Sequence, residues 1–567
     1  MSLPLSPAIK QSVRDLLISA SLANLLLLRR WYDIEDLQGI PLNYFRTHPP
    51  SAIPLNATLI ASGILTVIVL LLARIVRGCG KQWLLTFARV GFLAALIVPL
   101  ETVRQYWNYQ KGHADWTTNA ALLALDLLLA SGIVEVLRGR LRIFIAAERV
   151  AACMAAMLPV FLIYFAGMHA EAQHEAAYHA RPPLPPLPGH PAAGRNGVNR
   201  PASRVIWLLF DEFDQRLAFD NRQPGVELPE LDRLRAESFV GTHAIQTAGF
   251  TNLAVPSLLS GRVYSHAEAA DASTLLVQPS DSNSMLSWRD QPNVFRRARE
   301  QGVNAALVGW HHPYCRVLGD SLTRCFDEAG VTSSDALAEE TYFVDRGLAG
   351  SIAAVFEWRW NSFLGLFSRS EGMNHALTRF IQSHQQQQYF RIRDRAYRDA
   401  VDPRIDFLYA HFPTPHLYAI YDAQRKDFTL SEQTTYFDNL ALVDRTVGEL
   451  RRKLEQDGLW DTTTLLISAD HGLRYVLWHG GMNWTPQFDR LLEAGQSPIV
   501  PFILKLGGEN KPAVYDASFS AIVTGDLVLA VLRGEVTTAA QAAAWIAEKT
   551  GPQRVTESPH PVGGTSP

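Results

Sequence analysis

The chain has 567 residues, a formal charge of −3 and a hydrophobic fraction of 48%, which is too long for one ordinary domain. So small a charge gives no electrostatic basis for a nucleic-acid partner. A mean hydropathy near zero is high for a soluble enzyme, and it averages two unlike halves: residues 1–170 hold nearly all the long apolar runs, whereas 200–510 read as a mixed α/β globule.

Four runs, 55–76, 83–103, 117–137 and 150–169, have about the ~20 apolar residues that a membrane-spanning helix needs. A fifth, 16–28, is shorter and closes on Arg29 and Arg30; it reads as a short or tilted span, with an interfacial helix as the alternative. No small-residue cleavage site follows it, so a signal peptide is not expected. Counting it as the first of five spans, the connection with Arg74, Arg77 and Lys81 and the one with Arg138, Arg140 and Arg142 are both basic and fall on the cytoplasmic side, as do Lys10 and Arg14. Everything after residue 169 is then extracytoplasmic, on a multi-pass protein of the cytoplasmic membrane. Arg29 and Arg30 fit this less well, since they lie outside. Arg89 and Asp126 fall within spans; they read as a snorkelling or paired structural couple, or as part of a lipid or substrate path.

Residues 171–203, with a Pro-rich centre at 181–191, predict an extended linker that lifts the following domain off the membrane. From 204 to 550 strands and helices alternate: strands at 205–210, 303–308, 405–410, 463–467 and 499–504, and helices at 228–238, 436–456, 526–532 and 539–548. This pattern predicts a mostly parallel, doubly wound sheet. The aromatic-rich stretch 341–370 reads as a helical insertion packed on the core, or as a surface dipping into the outer leaflet. Residues 551–567 read as a disordered tail. Cys315 and Cys325, ten residues apart in the external half, are placed where an oxidising compartment permits a disulfide.

Three predicted strands end on metal-ligand side chains: Asp211 with Glu212, His411, and Asp470 with His471. Strand ends of an open α/β sheet converge on one crevice, and carboxylates and imidazoles together suit zinc or manganese better than calcium. A fourth piece is Thr251-Asn252-Leu253-Ala254-Val255-Pro256-Ser257-Leu258-Leu259-Ser260-Gly261-Arg262, where a threonine precedes a short helix that Pro256 helps to start. A hydroxyl there sees backbone N–H donors fit for a phosphate or sulfate oxygen. Thr251 can equally be a helix-capping residue, with Thr247 as a rival nucleophile. His311 and His312 follow a strand and serve either a local turn or the site.

These segments together resemble the alkaline phosphatase superfamily in its sulfatase-like branch. The membrane half adds only a span count, which is similar to that of the lipoteichoic acid synthases and phosphoethanolamine transferases. Most specific is the run from Val443-Asp444-Arg445-Thr446-Val447-Gly448 to Ser468-Ala469-Asp470-His471-Gly472. The resemblance implies a metal held by Asp211, Thr251, Asp470 and His471, with Thr251 as nucleophile. It implies that His411, His416 and His479, with Glu212 as ligand or neighbour, contact substrate or a possible second metal. No Cys or Ser in a Cys/Ser-x-Pro-x-Arg context stands at the nucleophile position, which argues against a formylglycine sulfatase. Asp211 also departs from the glutamate usual in lipoteichoic acid synthases.

The expected activity is metal-dependent transfer of a phospho-alcohol group from a membrane phospholipid to an envelope glycan or lipid, through a phospho-threonine. The alternatives are hydrolysis of a phosphate or sulfate ester at the same site, and a membrane-anchored binding or assembly protein whose site has decayed.

Overall fold

Apolar periodicity and prolines divide the N-terminal half into helices. The computed structural model describes residues 6–38, 40–111, 115–187, 204–330, 335–365, 372–474 and 497–550. It begins with α1 (Pro7–Leu26), α2 (Leu28–Gln38), α3 (Ile40–Phe45), α4 (Ile53–Gly78), α5 (Gln82–Ala95), α6 (Ile97–Lys111), α7 (Trp116–Leu137), α8 (Arg142–Met154) and α9 (Leu158–Ala172). Four stretches are long and apolar enough to cross a membrane: Ile53–Gly78, Gln82–Arg104, Trp116–Leu137 and Arg142–Ala172. The second and fourth are broken just ahead of Pro99 and Pro159, where the ring removes a helix hydrogen bond. The expected span at 16–28 covers the second half of α1 and reaches the first residue of α2; α1 is not among the four.

Ion pairs fix the two ends of this bundle. Arg77 meets Asp15 at 2.8 Å and Arg14 meets Glu148 at 2.7 Å, gathering the first half of α1, the end of α4 and the middle of α8. At the other end the chain meets the α/β domain. Arg30, buried, pairs with Asp33 at 3.2 Å and with Glu339. Arg46 pairs with Glu340 at 2.9 Å, and Ser51 N–H donates to the same carboxylate at 3.0 Å. Arg29 pairs with Asp33 at 3.0 Å, so both arginines that fitted the charge rule poorly carry local counter-charges. Arg89 lies 5.7 Å from the Phe144 ring, and no ion pair joins it to Asp126 among the described residues.

The linker does not stand free where it is described. Arg181 N–H donates to Cys315 O at 2.9 Å, Leu184 N–H to Leu322 O at 2.7 Å, and Leu187 N–H to Asn304 Oδ1 at 3.1 Å. Gly319 lets the chain approach, since a Cβ there would sit 2.7 Å from Arg181 O. Proline-rich backbone keeps its few N–H groups available, and here the domain takes them up. Over 181–187 the linker therefore lies against the domain.

The α/β domain contains β1 (Arg204–Asp211), β2 (Phe239–Ile245), β3 (Tyr264–Asp271), β4 (Thr274–Pro279), β5 (Leu286–Ser287), β6 (Ala305–Trp310), β7 (Arg324–Glu328), β8 (Phe407–Pro415), β9 (Tyr421–Asp422), β10 (Asp427–Phe428), β11 (Thr463–Ala469), β12 (Ile499–Lys505), β13 (Ala513–Tyr515) and β14 (Phe519–Ser520). The main sheet runs β13-β2-β12-β11-β1-β8-β6-β7, with β14 also on β2. β12 is antiparallel to both neighbours and the other pairings are parallel. β8 and β11 are wholly buried and β1 is buried from Val205 onward, as their apolar runs require of strands covered on both faces.

The helices are α10 (Pro229–Ala236), α11 (Thr251–Ser260), α12 (Val294–Glu300), α13 (Tyr314–Leu318), α14 (Asp335–Asp345), α15 (Gly347–Gly365), α16 (Gly372–Val401), α17 (Tyr436–Gln456), α18 (Thr524–Leu532) and α19 (Ala539–Thr550). α16 and α17 cover β8 on one face; α12 and α18 pack on the other, against β6 and β1. α17 begins in a capping box of Thr435 and Asp438 and buries Leu440, Val443, Val447, Leu450 and Leu454 along one stripe. The insertion α14–α15 packs on the membrane half: Tyr342, Phe343, Ala354 and Val355 cluster with Leu27, Ala57 and Ala61. The side chains of Trp358, Trp360, Phe363 and Phe367, which suggested a leaflet-dipping surface, lie outside the described residues.

Candidate active site

The site lies where β1 and β11 end side by side. A shift of register after Phe210 pairs Asp211 with Pro415 instead of Pro413; such a bulge re-aims the terminal side chain. Glu212 then takes φ 61°, a left-handed conformation that costs a non-glycine residue about 1 kcal/mol or more. It is held there because Glu212 N–H donates to Asp470 Oδ1 at 3.3 Å and Tyr436 O–H donates to Glu212 O at 2.7 Å.

Asp211, Asp470 and His471 are fully buried, and each offers a ligand atom within 4.8 Å of the others. His471 Nδ1 is 2.9 Å from Gly472 O. A carbonyl only accepts, so Nδ1 carries the proton and the Nε2 lone pair faces inward. Nε2 lies 3.4 Å from Asp470 Oδ2 and 3.7 Å from Asp211 Oδ1, and neither oxygen has a hydrogen-bond partner. Two unpartnered carboxylate oxygens thus converge on a buried imidazole lone pair, an arrangement that is costly alone and that a divalent cation satisfies. Burial, reinforced by Asp470, pushes the Asp211 carboxyl well above its ordinary range. The donor set of two carboxylates and an imidazole fits a borderline metal.

Thr251 is the first residue of α11, not a residue ahead of it, and Pro256 sits inside the helix instead of opening it. Gly261 closes the helix at φ 70°. Thr251 Oγ1 is 3.3 Å from Asp211 Oδ2 and 3.3 Å from His471 Nε2. The hydroxyl therefore borders the carboxylate–imidazole group, beside the first N–H donors of the helix. Thr247, the rival, donates its hydroxyl to Ala254 O at 3.2 Å.

His411 does not end its strand. β8 continues to Pro415 because the backbone stays extended through both prolines. His411 Nε2 is 4.0 Å from Asp211 Oδ2 and has no hydrogen-bond partner, while Nδ1 bonds Tyr314 O–H at 2.8 Å. Burial pushes His411 and His416 down to about 4, so both are neutral near pH 7. Trp310 packs between them, 6.1 Å and 5.1 Å from their rings.

Glu212 and His416, expected near a second metal, converge on Arg474. Its Nε donates to Glu212 Oε1 at 2.6 Å and its Nη2 to His416 Nε2 at 2.7 Å. Burial lowers the Arg474 pKa, but Glu212, Asp211 and Asp470 outweigh it and the guanidinium stays charged. Sequence reading missed Arg474; its only signal was a basic residue two positions after Gly472. Gln246 was also missed, and its Oε1 accepts from Gly472 N–H at 2.9 Å. His311 and His312 do reach the site: His311 Nε2 bonds Asn252 Oδ1 at 2.8 Å, and His312 Nε2 lies 3.4 Å from Thr251 O. Burial pushes His312 down to about 3. His479 lies outside the described residues. Cys315 and Cys325 are joined as a disulfide between α13 and β7.

A family model described as Sulfatase matches residues 203–489. No curated protein matches the chain. Among solved structures, Ps i-CgsB in complex with k-i-k-neocarrahexaose is 16% identical over 61% of this chain and 76% of that one, with TM-score 0.39. The lipoteichoic acid synthase LtaP from Listeria monocytogenes is 13% identical over 59% and 72%, with TM-score 0.36. The phosphonate monoester hydrolase SpPMH from Silicibacter pomeroyi is 14% identical over 58% and 73%, with TM-score 0.34.

Proposed function

The chain belongs to the sulfatase family of metal-dependent enzymes, and from that membership we propose that it transfers a phospho-alcohol group from a membrane phospholipid to an envelope glycan or lipid through a phosphate ester on Thr251. The observation that carries this reading is the Thr251 hydroxyl, 3.3 Å from Asp211 Oδ2 and 3.3 Å from His471 Nε2 at the head of a helix.

Asp211, Asp470, His471 and Thr251 would hold one divalent ion, zinc or manganese, which when bound supplies Lewis acidity to the hydroxyl and to a phosphoryl oxygen. The Thr251 proton leaves along its hydrogen bond to Asp211. Thr251 Oγ1 forms a bond to phosphorus as the ester bond to diacylglycerol, or a similar alcohol, breaks, and the departing alkoxide takes a proton from water at the site. The acceptor hydroxyl then attacks phosphorus, its proton passes to solvent, and the P–O bond to Thr251 breaks with the proton returning from Asp211. Arg474 carries positive charge to the non-bridging oxygens, with neutral His411 and His416 beside it.

Residues 1–170 form the membrane domain in this reading, 171–203 the linker, 204–550 the catalytic domain and 551–567 a tail. The bundle end bearing Asp15, Arg77 and Glu148 faces the cytoplasm with the N-terminus, because the basic connections cluster there. The catalytic domain is extracytoplasmic, in keeping with its disulfide, and the anchor confines the enzyme to the plane of its lipid donor.

The test is mass spectrometry of membrane-purified protein incubated with headgroup-labelled phospholipid. A labelled phosphate adduct on Thr251 that is absent from Thr251→Ala is expected. Release of the label to water alone would assign hydrolysis, and an adduct elsewhere would overturn Thr251 as the nucleophile. Absence of bound metal and of any adduct would favour a decayed binding protein.

A further inference from the structure

The nucleophile is supported from the membrane half of the chain. Tyr44, in α3, is fully buried beneath the α/β domain. Its hydroxyl lies 3.1 Å from His312 Nδ1, and the other nitrogen of that ring lies 3.4 Å from the Thr251 carbonyl. The next residue repeats the pattern by packing: the Phe45 ring centroid is 4.8 Å from that of His311, whose Nε2 meets Asn252 Oδ1 at 2.8 Å. Two consecutive residues of α3 therefore back two consecutive histidines, which touch the first two residues of α11. The segment is itself pinned, since Arg316 donates to Tyr44 O at 2.5 Å and Arg46 pairs with Glu340 at 2.9 Å.

Donor and acceptor chemistry gives this chain of contacts a direction. The Thr251 carbonyl can only accept, so His312 Nε2 must carry a hydrogen. In the neutral ring, Nδ1 then holds a lone pair, and the Tyr44 hydroxyl must be its donor. A phenol that donates to Nδ1 disfavours the other tautomer, in which an Nε2 lone pair would face the carbonyl oxygen and release the first turn of α11.

The geometry points to Tyr44 as a positioning residue for Thr251: through the His312 tautomer, the segment between α2 and α4 sets the pose of the nucleophile. The membrane half is then part of the catalytic apparatus as well as an anchor. The inference rests on the reading of Thr251 as nucleophile.

The test uses the full-length protein in detergent. One arm reads the 15N shifts of His312, which report the tautomer without turnover. Wild type is expected in the Nε2–H form, and Tyr44→Phe is expected to gain an Nδ1–H population. The other arm follows 4-nitrophenolate release from bis(4-nitrophenyl) phosphate. Tyr44→Phe is expected to lower kcat about tenfold with KM and bound metal unchanged, an effect of the size that loss of one oriented hydrogen bond produces. Tyr44→Phe/His312→Gln should be no slower than His312→Gln alone, because two residues acting through one contact are non-additive. An Nδ1–H tautomer in wild type, an unchanged tautomer and kcat in Tyr44→Phe, or losses that multiply in the double variant would each overturn the proposal. Thr251→Ala separates the premise: activity surviving that change removes the nucleophile reading, whereas loss in Thr251→Ala with none in Tyr44→Phe removes only the positioning role.

Discussion

Asp211 and Asp470 aim bare carboxylate oxygens at the same imidazole nitrogen: Oδ1 of the first and Oδ2 of the second lie 3.7 Å and 3.4 Å from His471 Nε2, all fully buried. In so dry a space burial and the neighbouring Asp470 charge both oppose ionisation of Asp211. The arrangement is held by covalent connection to β1 and β11, and a bound divalent cation relieves it.

Chelation should therefore lower the melting temperature of the wild type and abolish activity, since an ion that binds only the folded state stabilises it. Asp211→Asn and Asp470→Asn should each lose the metal, as read by elemental analysis. In the chelated state, however, Asp211→Asn should melt above wild type, because one of the two opposed charges is gone. A wild type indifferent to chelator would remove the metal centre.

Arg474 bridges Glu212 and His416 at 2.6 Å and 2.7 Å. Arg474→Ala should cost about a hundredfold in kcat/KM, as loss of a preorganised charge donor does, while metal content stays at the wild-type level. Arg474→Lys should recover only part of this, since one ammonium does not reproduce the guanidinium fork. Equal activity in all three proteins would place Arg474 outside the chemistry.

Gly309 supports the site at one remove. A Cβ there would fall 2.6 Å from Tyr314 Cδ2, and Tyr314 holds His411 Nδ1 at 2.8 Å. Gly309→Ala must move the Tyr314 ring and with it the His411 imidazole. Activity should drop at least tenfold with metal still bound, because small misplacements of a catalytic group are expensive. A retained rate with an unchanged pH profile would show that Tyr314 does not orient His411.

Burial pushes the Asp444 carboxyl from 3.8 up to about 7. The folded chain then binds a proton that the unfolded chain has released, and the group's stabilising contribution is full below pH 3.8 and lost as pH rises through 7. Asp444→Asn keeps an acceptor for Leu231 N–H, which now sits at 2.8 Å. The variant should melt several degrees above wild type near pH 8, by roughly the Tm shift that one or two kcal/mol produces, with the gap closing as pH falls towards 4. A constant gap across that range would assign the effect to packing instead of charge.

What was legible in the sequence follows from range. β1, β11 and α17 are written in local periodicity, and Tyr436–Gln456 is the helix found. Asp211, Asp470 and His471 were legible because each stands at or just past the end of an apolar run, and Thr251 because it stands at the head of a short apolar helix that matches a family motif. The edge strands β13 and β14 were not, since three and two residues carry no pattern. The course of β8 past His411 was hidden by Pro413 and Pro415, which usually punctuate strands. Arg474 and Tyr44 were illegible for another reason: their meaning lies in partners 262 and 268 residues away, and only the fold supplies those neighbours.

The docking of Arg181 and Leu184 against the domain, together with the Arg46–Glu340 pair, has a geometric consequence. In the proposed reading, with the apolar helices set in a bilayer, these contacts hold the candidate site at one height above the lipid surface. A phosphotransferase so mounted would work as a depth gauge: an ester would be reacted or ignored according to how far it projects from the membrane, before any of its chemical groups is read.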